Sequence, residues 1–236
     1  MEERMAVPQL VTAEQAEELR REFVVKVYGW MAAGLMMTGI MALLTIQSAA
    51  MLELIFGNKL VFYGLIIAQL GLVVWLSARI AQMSALTATM IFVGYSLLTG
   101  VTLSSVFLLY TASSLGSTFL VSAGTFGAMC AYGWTTKRDL TGMGGFLTMG
   151  LIGMILASVV NIFLQNSMVY WITTYVGILI FVGLTAYDAQ KIKAMSAVAL
   201  EGGESEQKGA ILGALRLYLD FINLFLLLLR VMGKRR

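Results

Sequence analysis

Histidine is absent from all 236 residues. The one side chain that ordinarily titrates near neutral pH is therefore missing, and with it the commonest metal ligand. Any response to pH in that range must come from carboxylates in an unusual setting. A single cysteine, Cys130, excludes an intramolecular disulfide and a metal site built on thiolates. The single proline, Pro8, stands near the N-terminus, so no later helix is kinked by proline. Charge is scarce as well. Asp, Glu, Lys and Arg make up 12% of the chain, against about a quarter in soluble domains. So few charges cannot cover a water-facing surface of this size, and the remaining solvent is lipid.

Apolar sequence fills the space that charge leaves. Hydrophobic residues are 59% of the chain, and mean hydropathy is +0.84. Seven runs stand out, near Val27–Ile46, Leu60–Ala78, Leu86–Tyr110, Thr118–Trp134, Met143–Leu164, Val169–Tyr187 and Ile211–Met232. Each is close to the roughly 20 residues that cross a bilayer as helix. The runs are continuously apolar and do not alternate, which argues against a barrel of strands. The expected fold is all-α, a polytopic membrane bundle of about seven helices. It occupies residues 27–236 as one domain, behind a polar tail at 1–26. Gly29/Ala33 and Ala123/Gly127 have the small-xxx-small spacing that lets helices approach closely.

Thr12 and Gln15 have capping-box spacing, so a short solvated helix is expected over Ala13–Glu22. The acidic residues of the tail do not fit a signal peptide. Ser48–Gly57 reads as a loop. Ala189–Gly209 reads as one long connection, with the acidic stretch Glu201–Glu206 a solvated turn at its centre. Orientation follows the Lys and Arg distribution. Arg20, Arg21, Lys26, Arg79, Lys137, Arg138, Lys191, Lys193 and Lys208 all fall on the side of the N-terminus, which is expected in the cytoplasm. Lys234-Arg235-Arg236 dissents, since a seventh full crossing puts it outside. A last segment that enters and returns is the competing topology.

Four ionisable residues lie within or at the ends of the apolar runs: Arg79, Asp188, Arg216 and Asp220. Charges there are costly and usually face the bundle interior or a water-filled cavity. Asp220 sits in an apolar segment. It is either protonated, paired inside the bundle, or neutralised by Arg216 four residues earlier. Asp188 ends the sixth run and either pairs with nearby Lys191 or faces inward. If the last helix starts at Ile211, Asp220 lies about 15 Å deep at 1.5 Å per residue. The two aspartates then meet only if the sixth helix continues well past Asp188. If the last helix starts near Leu217, both sit about one turn in from the same side. Arg79 reads as an interfacial anchor whose stem lies along apolar surface, on the same side as Asp188. Asn223 is expected to make a hydrogen bond between helices. No Ser/His, Cys/His or metal-ligand constellation is available for an enzyme, and two span aspartates would at most make an aspartyl-protease pair. Nucleic acid is not expected as a partner.

Two motifs carry a family resemblance. Gly183-Leu-Thr-Ala-Tyr187-Asp188-Ala-Gln190 and Leu217-Tyr-Leu-Asp220-Phe-Ile-Asn223-Leu-Phe225 resemble the paired C-terminal motifs of the Bax inhibitor-1 family, in its bacterial inner-membrane branch. The likeness runs from Val27 to Arg236, through Leu98–Ser105 and Tyr132–Asp139. It implies six helices around a central last helix, and a pH-sensitive calcium leak with no resident cofactor. It also implies that Asp188 and Asp220 are the proton-sensing pair and a weak, transient calcium site. Tyr187 and Asn223 adjoin that pair as auxiliary polar groups. Arg79 occupies the place of an arginine that latches onto the pair, by position and not by motif. Arg216 departs from the pattern as a second possible counter-charge. A different reading is a non-transporting regulator that binds a membrane protease or another membrane protein through residues 1–26.

Overall fold

The computed structural model describes residues 12–197 and 202–236. Eight α-helices make up the described chain: α1 (Ala13–Gln47), α2 (Ala49–Phe56), α3 (Lys59–Arg79), α4 (Ala85–Leu109), α5 (Ala112–Thr135), α6 (Thr141–Leu164), α7 (Ser167–Met195) and α8 (Gly203–Met232). All but α2 are long and apolar enough to cross a membrane. The chain is an all-helical polytopic membrane bundle.

Each apolar run became a helix, and most helices extend beyond their run. The largest extensions are at the N-terminus. The expected short helix at Ala13–Glu22 is the first part of α1, which continues without a break into the first span. Its capping box forms as the spacing requires: Thr12 Oγ1 accepts from Gln15 N–H, and Gln15 Oε1 accepts from Thr12 N–H. Nothing after Glu22 stops the helix, since no glycine or proline stands before Gly29. The loop expected at Ser48–Gly57 holds the short helix α2, started by Ser48 Oγ accepting from Met51 N–H.

The connection expected over Ala189–Gly209 is much shorter. α7 runs to Met195 and α8 starts at Gly203. Glu204 and Glu206 are not in a turn but in the first turn of α8, where acidic side chains complement the helix dipole. Both have tertiary partners. Glu204 accepts from the Ala85 N–H at the start of α4 (2.8 Å), and Glu206 pairs with Lys26 of α1. Glu201 and Pro8 lie outside the described residues.

α8 is the central helix. It packs against α1, α4, α5 and α7, while α3 and α6 stand outside on α4 and α7. The burial pattern agrees: over half of the apolar window of α8 is buried, against 6% for α3 and for α6. Tyr218 anchors α8 to its neighbours. It is fully buried, its hydroxyl lies 2.6 Å from Thr38 Oγ1, and Phe92 and Tyr95 meet its ring edge-on. The closest helix approaches do not use the glycines singled out by spacing. A Cβ on Gly29 or Gly127 would meet nothing within 4 Å, whereas one on Gly133 would lie 2.1 Å from Ala186 O. Gly133 thus brings α5 against the α7 backbone two residues before Asp188.

The start of α1 and the C-terminal residues lie at opposite ends of the bundle. At one end α4 and α8 begin together beside Lys26 of α1, tied by the contacts of Glu204 and Glu206. Lys193 Nζ donates to Trp134 O and Gln190 Nε2 to Arg138 O, fastening α7 to the end of α5 and to the α5–α6 loop at that same end. In that loop the Thr141 hydroxyl and backbone N–H hold the exposed Asp139 carboxyl below its usual range. At the other end, α8 stops beside the α4–α5 turn. Thr111 N–H donates to Lys234 O, Lys234 N–H to Ser114 Oγ and Arg236 N–H to Leu109 O. The last helix therefore runs the length of the bundle and does not turn back.

Candidate ion-pathway site

Asp188 and Asp220 come from adjacent helices, α7 and α8, and both are buried, at 7% and 4% exposure. The condition for their meeting is satisfied, because α7 continues seven residues past Asp188 to Met195. Their carboxyls are close enough to interact strongly. An ionised carboxylate only accepts, so such a contact is favourable only with a proton between the two oxygens. With both ionised, two unit charges about 4 Å apart repel by about 4 kcal/mol at an effective dielectric near 20. Asp220 Oδ2 is buried and has no hydrogen-bond partner among the described residues. It is an acceptor waiting for a donor.

Arg216 supplies the local cation. Its Nη1 donates to Asp188 Oδ1 at 3.2 Å, across helices. Spacing offered Arg216 a partner on its own helix, Asp220; the structure gives it Asp188 instead. The Arg216 Nε is a buried donor without an acceptor among the described residues. One arginine therefore serves one carboxylate, and a spare donor and a spare acceptor remain in the same cluster. Lys191 adds a second positive charge within electrostatic range of Asp188, but its Nζ hydrogen-bonds to Tyr187 (3.5 Å), not to the aspartate.

The remaining expected residues separate. Arg79 is exposed and donates to Gln82 Oε1. Lys208 of α8 reaches Ala81 O just beyond it, and Asp220 is twelve residues further along, about 18 Å of rise. Arg79 therefore stands apart from the pair in this arrangement. The Tyr187 ring packs where a Gly144 side chain would be, so it is engaged by α6. Asn223 donates to its own Leu219 O, with no hydrogen bond to another helix among the described residues. Two groups near the pair gave no signal in the sequence. Cys130 of α5 lies within electrostatic range of Asp220, and Tyr28 of α1 within that of Cys130. Only packing brings them there. Among the described residues no group of three or more His, Cys, Asp or Glu is placed to hold a metal ion.

Residues 20–236 match the family described as "Inhibitor of apoptosis-promoting Bax1". The chain belongs to the Bax inhibitor-1 family. Its relatives in that family match along nearly the whole length. The inner membrane protein YbhL of Escherichia coli is 54% identical over 215 residues, covering 91% of this chain and 92% of its own. An uncharacterised protein of Borreliella burgdorferi is 44% identical over 227 residues, covering 96% and 98%. An uncharacterised protein of Rickettsia prowazekii is 44% identical over 222 residues, covering 93% and 92%. The match to the Bax inhibitor-1 family includes both aspartates and all seven long helices, although it begins only at Arg20, inside α1.

Proposed function

We propose that this protein is a pH-sensitive calcium leak of the bacterial inner membrane, gated by a proton shared between Asp188 and Asp220. The inner-membrane placement follows that of its relative, the inner membrane protein YbhL. The end of the bundle that holds the N-terminus carries most of the Lys and Arg, which orients it to the cytoplasm. The observation that carries the reading is the contact of two buried carboxyls with one guanidinium beside them.

The closed state balances charge. Asp188 is ionised against Arg216, and the proton rests between Asp188 and Asp220. Loss of that proton to the cytoplasmic side leaves two anions sharing one guanidinium, with Lys191 the next nearest cation. The repulsion is relieved if the carboxyls part, or if a cation enters between them. Either displaces α8, and α8 is packed against α1, α4, α5 and α7, so the movement is transmitted to the whole bundle. Calcium prefers six to eight oxygen ligands. Two carboxylates and water fall short of that number, which suits passage and not storage. Flux is therefore expected to rise as pH rises through the titration of the pair.

Calcium flux into liposomes carrying the purified chain tests this. Asp188→Asn and Asp220→Asn each remove one ionisable carboxyl, and both are expected to abolish the pH dependence. Flux that keeps its pH dependence in both variants sinks the mechanism. If the parent chain carries no flux above empty vesicles, the protein acts through a partner instead.

A further inference from the structure

At the end of the bundle remote from the N-terminus, α6, α7 and α8 part to form a crevice. An outer chamber of about 670 Å³ is walled by Ser158, Asn161, Tyr170, Thr173 and Arg230. An inner chamber of about 130 Å³ shares Ser158, Thr173 and Arg230 with it and ends at Asn223, Phe181 and Leu227. Some of this polarity is structural. Asn161 Oδ1 accepts from Asn166 N–H to close the α6–α7 turn, and Thr173 bonds back to its own helix. Arg230 is not explained in this way. Its guanidinium lies 5.3 Å from the centre of the Tyr170 ring, and it forms no ion pair among the described residues.

The α8 wall of the crevice is a single strip, with Asn223, Leu227 and Arg230 at positions i, i+4 and i+7. Asn223 donates its amide to Leu219 O. Its side-chain oxygen accepts from no donor among the described residues, and Asn223 lines the inner chamber. Asp220 is three residues, or about 4.5 Å of rise, further on. The crevice thus runs from the far surface to within a turn of the carboxyl pair, with buried Phe181 beside Asn223 at its inner end and Leu227 one turn nearer the mouth.

We infer that this crevice is the far-side entrance of the cation path, and that Arg230, held over Tyr170, is a fixed positive charge that limits how readily cations enter it. The inference rests on the leak reading above. A guanidinium at the mouth of a low-dielectric cleft lowers the local concentration of cations, and salt screens that effect. Stacking on Tyr170 keeps the charge at the mouth in place of letting it swing into solvent.

The test is calcium flux in liposomes of neutral lipid, at a pH where the leak is open, for Arg230, Arg230→Lys, Arg230→Gln and Arg230→Glu. Flux at low ionic strength is expected to stay near the parent level for Lys. It should rise roughly two- to five-fold for Gln and further for Glu, with the differences collapsing at about 1 M salt, where the Debye length is about 3 Å. A purely packing role predicts no ordering by charge. A second readout does not need transport. In a Cys130→Ser chain carrying Ser158→Cys, Arg230→Gln should raise the labelling rate of a cationic thiol reagent relative to an anionic one. Flux that is pH-dependent but indifferent to charge at 230 overturns this inference alone, as does labelling of Ser158→Cys that ignores reagent charge. A parent chain without flux at any pH overturns the leak reading itself.

Discussion

Arg216 is the residue on which the electrostatics of the pair turn. It sits on the same helix as Asp220, yet it donates to Asp188. It therefore stabilises an anion on α7 while leaving Asp220 Oδ2 unpartnered. Replacing it with glutamine keeps a polar side chain of similar reach and removes the charge. Without that cation the carboxyl pair holds its proton to higher pH. The midpoint of calcium flux in liposomes is then expected to move upward by roughly one pH unit or more. A midpoint that stays in place, or moves toward acid, would mean that Arg216 does not act as the counter-charge. The residue types and their spacing were visible in the sequence. The choice of partner was not, because a guanidinium on α8 reaches either its own helix or the neighbouring one, and only the α7–α8 crossing decides between them.

At the scale of helices, the crossing of α5 and α7 sets the level of the site. Gly133 faces Ala186 so closely that an added Cβ would lie 2.1 Å from a backbone carbonyl oxygen. Backbone cannot yield as a flexible side chain does, so Gly133→Ala must push α5 and α7 apart beside Asp188. Thermal unfolding in detergent is expected to show a loss of about 2 kcal/mol or more, whereas Gly127→Ala, with open space around it, should be close to neutral. Equal stability of the two variants would show that this crossing is not tight. Spacing alone pointed to Gly29 and Gly127, since small-xxx-small pairs recur throughout so glycine-rich a chain. Which of the 24 glycines meets a neighbouring helix depends on how the helices are rotated about their axes.

For the whole molecule, the arrangement of the termini is the feature most open to direct test. The start of α8 is tied to α1 and α4 at the end holding the N-terminus. Its last residues are tied to the α4–α5 turn at the other end. At 30 residues, α8 is about 45 Å long, enough to cross a hydrocarbon core of about 30 Å and project from it. Cys130 is the only native thiol and is buried, so a Cys130→Ser chain is a clean background. Gln15→Cys and Arg236→Cys are expected to label from opposite faces of sealed vesicles with an impermeant thiol reagent. Labelling from the same face would restore the returning topology that Lys234–Arg236 first suggested.

Hydropathy is a local sum, and a bilayer reads it locally. Seven continuous apolar runs with almost no charge therefore specified a seven-span helical bundle, and the Leu217–Phe225 motif pointed to its family. Helix lengths were less legible. α1, α7 and α8 extend past their apolar runs because polar residues such as Glu204, Glu206 and Lys193 find partners on other helices, and no periodicity encodes those partners. The meeting of Asp188 with Asp220 followed from resemblance and not from spacing. Two residues on different helices touch only when both helices continue far enough to bring them to the same depth, and the seven residues of α7 beyond Asp188 do that. The placement of Arg216, the distance of Arg79 from the pair in this arrangement and the crevice ending at Asn223 likewise come from packing. In a membrane bundle composition sets which segments cross, while depth, rotation and crossing angle set which of their few polar groups meet.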